Sequence, residues 1–587
     1  MGLELALSSA LTGLQTSQTQ LQITSNNVSN AQTPGYSRET AATQTVTVNG
    51  NVAGVELGPI QRNVSQQLIT SVRAETTTQA FQQTLSDQLS QLQNFFGNPN
   101  DNTSLTGELA GLAAAFQNLA TTPSGSPEKS QAVASAQQFT QSLNTLAQNI
   151  QSLRGNADQQ IQNDVTDAAA QLNTIQQLNA QIAQLQALSQ PTVDLQDQRD
   201  QAVNNLAKDL DVTTVLQPDG TMNVYTTSGI TLLAGNNTIN FSHTAVGGIG
   251  PTIVYPGAIQ GIMLNGLDVT SKVSGGKLGA LIQLRDQTLP ALGQQLDNLG
   301  TIVANNINAL HNNGASVPPP NSLTGSATVA LTDAFAGTGT VRIAVVDQNG
   351  NAVATPLDLN LATVAPPTVA GLVAAINAGL GANGTASVTN GHLVIAATGA
   401  NNGIAINQQG TNVNGSGTPF SMYYGLNDFF TMNTVLSAAM TINVRSDIVA
   451  NPNIVATGTL SLSALVAGSP AVAPGDSSTI QSIANEFNTA VAFPAAGGLA
   501  ATTTKFGDYT SQIIGNAATQ SSNATTNAKF QATLLQNLQS KASNFSGVNV
   551  DEEVANLTLY QNAYSASARV LTIVTQMFNT LDSIPTS

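Results

Sequence analysis

The sequence predicts a multidomain α+β protein: a long helical bundle with coiled-coil N- and C-terminal helices and inserted β-rich domains. Three observations predict it. Large apolar residues recur every seven positions at both extreme ends of the chain. A three-or-four rhythm of apolar residues runs from Val133 to Leu185 with no proline between Pro127 and Pro191. Two stretches, about 212–272 and 318–475, switch to short apolar runs punctuated by Gly, Pro and Asn.

At the N-terminus Leu7, Leu14, Leu21 and Val28 keep the seven-residue period, with Leu3 and Leu11 on adjoining positions. At the C-terminus Val550, Leu557, Tyr564, Leu571 and Phe578 repeat it, flanked by Val554, Val574 and Leu581. A period of seven holds one stripe of a helix against a partner, so these positions are the predicted assembly interface. Both stripes are thin, because Ala10, Ser17 and Thr24 in one and Gln561, Ala568 and Thr575 in the other occupy the complementary positions. A handful of large side chains contributes on the order of 10 kcal/mol on full burial. Ordering some 25 residues costs about 25–50 kcal/mol of backbone entropy before hydrogen bonds offset part of it. Neither helix is expected to hold alone. Each needs neighbours on more than one side, which a polymer of subunits supplies.

The helix ends are well marked. Asn549 precedes Val550-Asp551-Glu552-Glu553 as an N-cap, and the three acids suit the positive end of the helix dipole. The cap accounts for them without a metal. The N-terminal helix closes over Asn26-Asn27-Val28-Ser29-Asn30, before the turn Thr33-Pro34-Gly35. Ser126-Pro127-Glu128 reads as a cap with proline at the first helical position. It opens one long helix, or two nearly collinear ones bent at Gly155-Asn156, reaching on the order of 90 Å. Further helical faces are Leu85/Leu89/Leu92/Phe96, Leu105/Leu109/Leu112/Phe116/Leu119, Leu292/Leu296/Leu299/Val303/Leu310 and Phe530/Leu534/Leu538/Phe545.

These elements predict the organisation of the chain. Residues 1–60, a helix and an extended segment, pair with 547–587. The helical bundle of 61–211 is completed by 276–315 and 476–546. Residues 212–275 form a small β-rich insert, with a hairpin across Pro218-Asp219-Gly220. Residues 316–475 form an outer β-rich insert. It contains a ββαββ module: a ribbon of Val341, Ile343 and Val345 before Asn349-Gly350, a helix over Val369–Leu380, and strands across Asn390-Gly391.

Composition excludes several function classes among the 587 residues. Charged residues are 8% where about 25% is usual, and the 16 Lys+Arg against 32 Asp+Glu leave a net charge of −16. Nucleic acid is not a partner this surface suits, since there is no basic stripe to displace counterions. Cysteine is absent, which removes disulfides, thiolate metal sites and thiol nucleophiles. His243, His311 and His392 are scattered without ligand spacing, and no catalytic or cofactor motif occurs, so neither metal, cofactor nor catalysis is expected. No apolar run is long enough to span a membrane, and the N-terminus lacks the pattern of a cleaved signal peptide. Asp194-Leu195-Gln196-Asp197-Gln198-Arg199-Asp200 reads as a solvated or interhelical ion-pair cluster.

The stretch Ser25–Arg38, with Asn26, Asn27, Asn30, Pro34, Gly35, Tyr36 and Arg38, resembles the N-terminal signature of bacterial flagellar axial proteins: rod, hook and hook-associated. Ser546–Glu553 and Tyr560–Arg569 resemble the C-terminal segment of the same family. Asp194–Asp200, Gly276–Leu281 and Gly425–Phe430 resemble motifs of its hook–filament junction members, and the ββαββ order resembles a small module of hook and filament proteins. The resemblance implies a non-enzymatic structural subunit, secreted without a cleaved leader, in an extracellular ring of its own copies at the junction of the flagellum. It implies as partners hook protein, a second hook-associated junction protein and a flagellar export chaperone. The rival readings are another axial component, or a secreted adhesin that uses its β inserts.

Overall fold

The computed structural model describes residues 2–48, 50–97, 101–235, 237, 239–408 and 410–583, so the last four positions of the predicted 547–587 segment lie outside the described residues. It begins with helix α1 (Gly2–Asn30), a hairpin of β1 (Thr43–Val48) and β2 (Asn51–Leu57), then α2 (Gln66–Phe96), α3 (Leu105–Thr121), α4 (Ser126–Ala187) and α5 (Val193–Asp209). A small sheet of β3 (Val212–Leu216), β4 (Met222–Thr226) and β5 (Thr231–Leu233) leads to α6 (Gly276–Gln283) and α7 (Leu289–His311). The outer strands are β6 (Ser322–Thr328), β7 (Thr340–Asp347) and β8 (Leu357–Asn360), then, after α8 (Val369–Leu380), β9 (Gly384–Thr389), β10 (His392–Ala397) and β11 (Asn402–Asn407). The chain returns through α9 (Ser478–Glu486) and α10 (Phe506–Ser546) to α11 (Val550–Asp582).

Helix α4 is the axis. It runs 62 residues without interruption, about 90 Å at 1.5 Å per residue, and Gly155-Asn156 does not break it. Ser126 is not its cap: Gly125 holds that place, and the Ser126 hydroxyl donates instead to Asn453 Oδ1 at 2.7 Å. What changes at Gly155 is the neighbour. Before it, Phe139, Leu143 and Ile150 enter a core shared with α2, α3, α7 and α10. After it, Ile161, Val165 and Leu172 enter a second core with α5, α6 and the small β sheet.

Between the two cores lies a buried polar belt. Asp158 Oδ1 accepts from Arg285 Nη1 at 2.6 Å and pairs with His243 Nε2 at 2.9 Å, while Oδ2 takes the Val246 N–H at 2.7 Å. Burial alone pushes the Asp158 carboxyl up, but the bonds from His243, Val246 and Arg285 outweigh it and hold it below the usual carboxylate range. Arg154 donates to the carbonyls of Arg285, Gly250 and Ile253, which ties the loop after the small sheet to α4. Such a cluster sets register more than it stabilises, because both charges are withdrawn from water. Arg285 sits in a π-helical turn, Leu284–Thr288, that joins α6 to α7. Pro290 explains the turn, since its ring removes one helical donor and crowds the carbonyl four residues back.

The outer insert contains two three-stranded antiparallel sheets, β6–β10–β9 and β8–β7–β11, with α8 packed between them over Leu372 and Ile376. The predicted order of β7, β8, α8, β9 and β10 is present. Asn390 (φ 53°) and Gly391 (φ 80°) form the two-residue turn, with the left-handed backbone that Asn-Gly tolerates. The partner of β7 comes later than Asn349-Gly350, at Leu357–Asn360, and β6 and β11 add an outer strand to each sheet.

Two expectations need correction. The stretch 316–475 is not one packing unit, because Phe429, Phe430, Ile442, Val444 and Ile448 join the helical core rather than the outer one. The face Phe530/Leu534/Leu538/Phe545 is not core: Phe530, Leu534 and Phe545 are exposed. Helix α10 turns Ala517, Ser521, Ala524 and Ala528 inward instead, and Ser86 Oγ of α2 lies 3.0 Å from Thr525 Oγ1. Small residues let these two helices approach closely, so the larger side chains are left outside.

The C-terminal end of α7 holds the body to the outer insert. Asn308 Oδ1 accepts the N–H groups of Phe429 and Phe430, and Asn312 Oδ1 accepts the Asn427 N–H and the Ser421 hydroxyl. His311 Nε2 accepts the Ala456 N–H at 3.0 Å, so Nδ1 carries the proton and donates to the Asn427 carbonyl at 2.6 Å. Burial pushes this imidazole down to about 4. The unfolded chain has an ordinary histidine near 6.5 and takes up its proton first, so the contribution is intact above about 6.5 and declines as pH falls towards 4. The difference corresponds to roughly 3 kcal/mol when the loss is complete. Urea unfolding of the body at pH 7 and pH 5 should show the midpoint falling, and the fall should be smaller in His311→Gln.

Candidate assembly interface

Helices α1 and α11 pack along each other, which brings the two ends of the chain together. Asn27 Nδ2 donates to Glu553 Oε2 at 3.2 Å, and a methyl on Gly13 would stand 3.1 Å from Ser567 Oγ. From Asn27 to Gly13 and from Glu553 to Ser567 is the same two heptads, taken in opposite directions, so the pair is antiparallel. Only a glycine allows the approach at Gly13 without displacing its neighbour.

The predicted interface positions flank this seam rather than fill it. Leu7, Leu14, Leu21 and Val28 are half-buried, as are Leu557, Leu571 and Phe578, while Val550 and Tyr564 are exposed. The deepest positions in α1 are Ala10, Ser17, Gln20, Ile23, Thr24 and Asn27, and in α11 Glu553 and Val574. In α1 the small residues that made its stripe look thin, Ala10, Ser17 and Thr24, are buried, whereas in α11 Gln561 and Thr575 are exposed. The β1–β2 hairpin covers a second side of α1: Gln20 Nε2 donates to the Ala41 carbonyl at 2.9 Å, and the Val55 N–H donates to Thr12 Oγ1 at 3.3 Å.

The Asn26–Arg38 segment forms a lock at the closed end of the pair. Asn27 Oδ1 accepts the Tyr36 hydroxyl and the Glu39 N–H, each at 2.9 Å, and its Nδ2 also donates to the Glu39 carbonyl at 3.0 Å. Arg38 Nε donates to Glu553 Oε1 at 2.7 Å and Nη2 to Glu552 Oε1 at 2.8 Å. Asn30 Nδ2 bonds back to the exposed Asn26 carbonyl and its Oδ1 takes the Thr33 hydroxyl, which shapes the turn through Pro34 to Gly35 (φ 84°). Asn549 caps α11 by accepting the Asp551 and Glu552 N–H groups, as the sequence implies. The sequence did not reveal that Glu552 and Glu553 also receive Arg38, because a first-turn acid is already explained by the helix dipole.

Beside the lock, Asp197 Oδ2 accepts the Ser37 N–H and Oδ1 the Ser37 hydroxyl, both at 2.8 Å. Arg62 Nη1 bridges Asp197 at 2.7 Å and Asp200 at 2.8 Å, and Arg73 reaches Asp200 at 2.7 Å. The ion-pair reading of Asp194–Asp200 therefore describes Asp197 and Asp200. Arg199 differs: it is buried, donating to Asn179 Oδ1 and the Gly220 carbonyl, and burial brings it down to about 10. No group of residues with metal-ligand character occurs among the described residues.

Three family models match the chain. The flagellar hook-associated protein FlgK helical domain covers residues 89–323, the flagella basal body rod protein model 7–36, and the flagellar basal body rod FlgEFG protein C-terminal model 539–584. Flagellar hook-associated protein 1 of Salmonella typhimurium is 25% identical over 98% of this chain and 99% of its own. That of Escherichia coli K12 is 22% identical over the same shares, and that of Bacillus subtilis is 24% identical over 36% of this chain and 43% of its own. Over nearly its whole length the chain is similar to flagellar hook-associated protein 1. A solved structure, the flagellar hook junction protein FlgK from Burkholderia pseudomallei, covers 80% of this chain and 99% of its own at 17% identity, with a TM-score of 0.48. The two rod-protein matches span the helices that Asn27, Arg38 and Glu553 tie together. The chain is a flagellar component, and among the described residues no helix is long and apolar enough to cross a membrane.

Glu39 makes the lock sensitive to pH. Burial, with Asp194 and Asp197 nearby, pushes its carboxyl up to about 7. The folded state then holds a proton that the unfolded chain releases near 4.5, so stability is lost as pH rises between those values. Glu39→Gln should raise the stability of the α1–α11 unit by about 1 kcal/mol at pH 8 and change little at pH 4, with solvent screening included. Amide exchange in α1 at the two pH values measures it.

Proposed function

We propose that this chain is a non-enzymatic structural subunit that joins hook to filament, its copies forming a ring through the terminal helices. Its neighbours would be hook protein below and a second hook-associated junction protein above. An export chaperone would hold the C-terminal segment before assembly, and the route to the cell exterior would need no cleaved leader. The relatives matched over nearly their whole length carry the family reading, and the observation that carries self-assembly lies on α11.

That helix has a second heptad seam. Leu559, Ala563, Ala566, Val570, Ile573 and Met577 alternate spacings of four and three, and every one is exposed. At about 100° per residue this seam lies roughly a third of a turn from the one that meets α1. A helix with two such seams is built to sit among several neighbours, and among the described residues α1 is the helix packed along it. Six apolar or small side chains left in water at heptad spacing support the docking of further copies of this helix pair.

Ile573→Asp should leave α1 and α11 paired, because Ile573 faces away from α1, while blocking incorporation. Leu571→Asp, on the inner flank, should weaken the pair itself as well. A deletion strain complemented with each variant, scored for hooks lacking filaments and by immunogold at the hook tip, separates the cases. Normal filaments from Ile573→Asp would remove the second seam from the account.

A further inference from the structure

Helix α7 has unlike neighbours on its two opposite faces. Gln295 and Asp297 are two residues apart, which is about 200° around the helix and only about 3 Å along it. On the Gln295 side an open cavity of about 220 Å³ lies between α2, the π-helical turn, α7 and α10. Leu92, Ala291, Leu292 and Ala517 line it, and Gln287 and Gln520 are exposed at its rim. One wall is the loop at Gly497 (φ 53°), which lies so close to α7 that a methyl there would strike the Ala291 carbonyl. Gln295, 2% exposed, lines the same cavity. Its Nε2 donates to the Gly497 carbonyl at 2.6 Å, which fixes the amide, and its Oε1 is buried with no hydrogen-bond partner among the described residues. A buried acceptor is costly until a donor reaches it, so the cavity is complete only when one enters.

On the Asp297 side a short segment stands out from the body. Val435 is 82% exposed and Leu436 52%. The segment is nonetheless tied down. Asn433 Oδ1 accepts the N–H groups of Val435 at 3.0 Å and Leu436 at 3.3 Å, and Asp297 Oδ1 accepts the Ser437 hydroxyl and, at 2.8 Å, the Ala439 N–H. Thr434 adds an exposed hydroxyl beside the two apolar tips. Two large side chains held in water on a fixed support mark a contact surface rather than a mobile loop.

The tip and the cavity cannot meet within one chain, because α7 stands between them. A contact between unlike patches on opposite faces repeats from copy to copy and closes into a ring, whereas a two-fold dimer joins like to like. Both patches are held within one turn of α7, so such a repeat advances little along that helix. At about 30 Å³ per water the cavity takes roughly seven waters, or in their place the ends of two apolar side chains. We propose that the Val435–Leu436 tip of one copy enters the Gln295 cavity of the next, with the Thr434 hydroxyl donating to Gln295 Oε1. This contact deepens the ring reading above and rests on it, adding to the terminal helices a link made by the helical body.

The absence of cysteine makes the test direct. Val435→Cys and Gln520→Cys, both at exposed positions, are combined in the full chain in a deletion strain, and isolated hook–filament junctions are treated with a short bismaleimide. The pair should give a ladder of covalent oligomers that rises past the dimer. Either single variant should stay monomeric, and so should Leu331→Cys combined with Gln520→Cys. Dimers of the Val435→Cys single variant would overturn the inference, since like patches would then be meeting. A double variant that immunogold places at the hook tip, yet that gives no ladder, would overturn it and leave the ring reading standing. Wild-type chain absent from the hook tip would overturn both. Val435→Asp should keep the thermal midpoint of the monomer and reduce several-fold the filaments retained after shear, because it carries a carboxylate into the cavity, while Val435→Ile should retain them. Full retention in Val435→Asp would count against the contact.

Discussion

The structure depends on the two ends of one chain meeting side by side. Glu553, in the first turn of α11, receives Asn27 on one oxygen and Arg38 on the other, and is itself buried. These bonds set the antiparallel register, and the small residues along the seam let the helices come close enough to use it. A carboxylate taken out of water needs such partners, so the register and the pairing are one constraint. Neither helix supplies enough apolar surface to stand by itself.

The remainder is organised by α4, which is too long for one core and serves two. The charges of Arg154, Asp158 and Arg285 mark the boundary, and the π-turn at Arg285 lets α6 and α7 pass it as one rod. The outer insert is attached differently, by side-chain amides and an imidazole at the end of α7 that bond to backbone. The molecule is thus a series of bodies joined by polar contacts, fully buried at His311 and Asp158 and partly exposed at Asp197.

Much of the architecture was legible beforehand. Helical periodicity located α2, α3, α4 and α7, and the Asn-Gly turn located the β9–β10 hairpin, because both depend on local backbone preference. The predicted seam is offset: Leu7, Leu14 and Leu21 are the large side chains, while Ser17 and Asn27 are the buried ones and Gly13 allows the close approach to Ser567. The face of α10 was misread for the same reason. Phe530 and Phe545 are large and periodic, yet Ala517, Ala524 and Ala528 pack against α2.

By itself the sequence determined where α1 ends and α11 begins, that the two termini share a heptad period, and which family motifs they carry. Each of these is written in neighbouring residues, through capping, periodicity and turn chemistry. Only the tertiary structure decided which side of each helix is inside, that Arg38 answers Glu552 and Glu553, and that Arg62 answers Asp197. Those choices join residues far apart in the chain, where spacing carries no information and the closeness of approach and the cost of an unpaired buried charge select the partner.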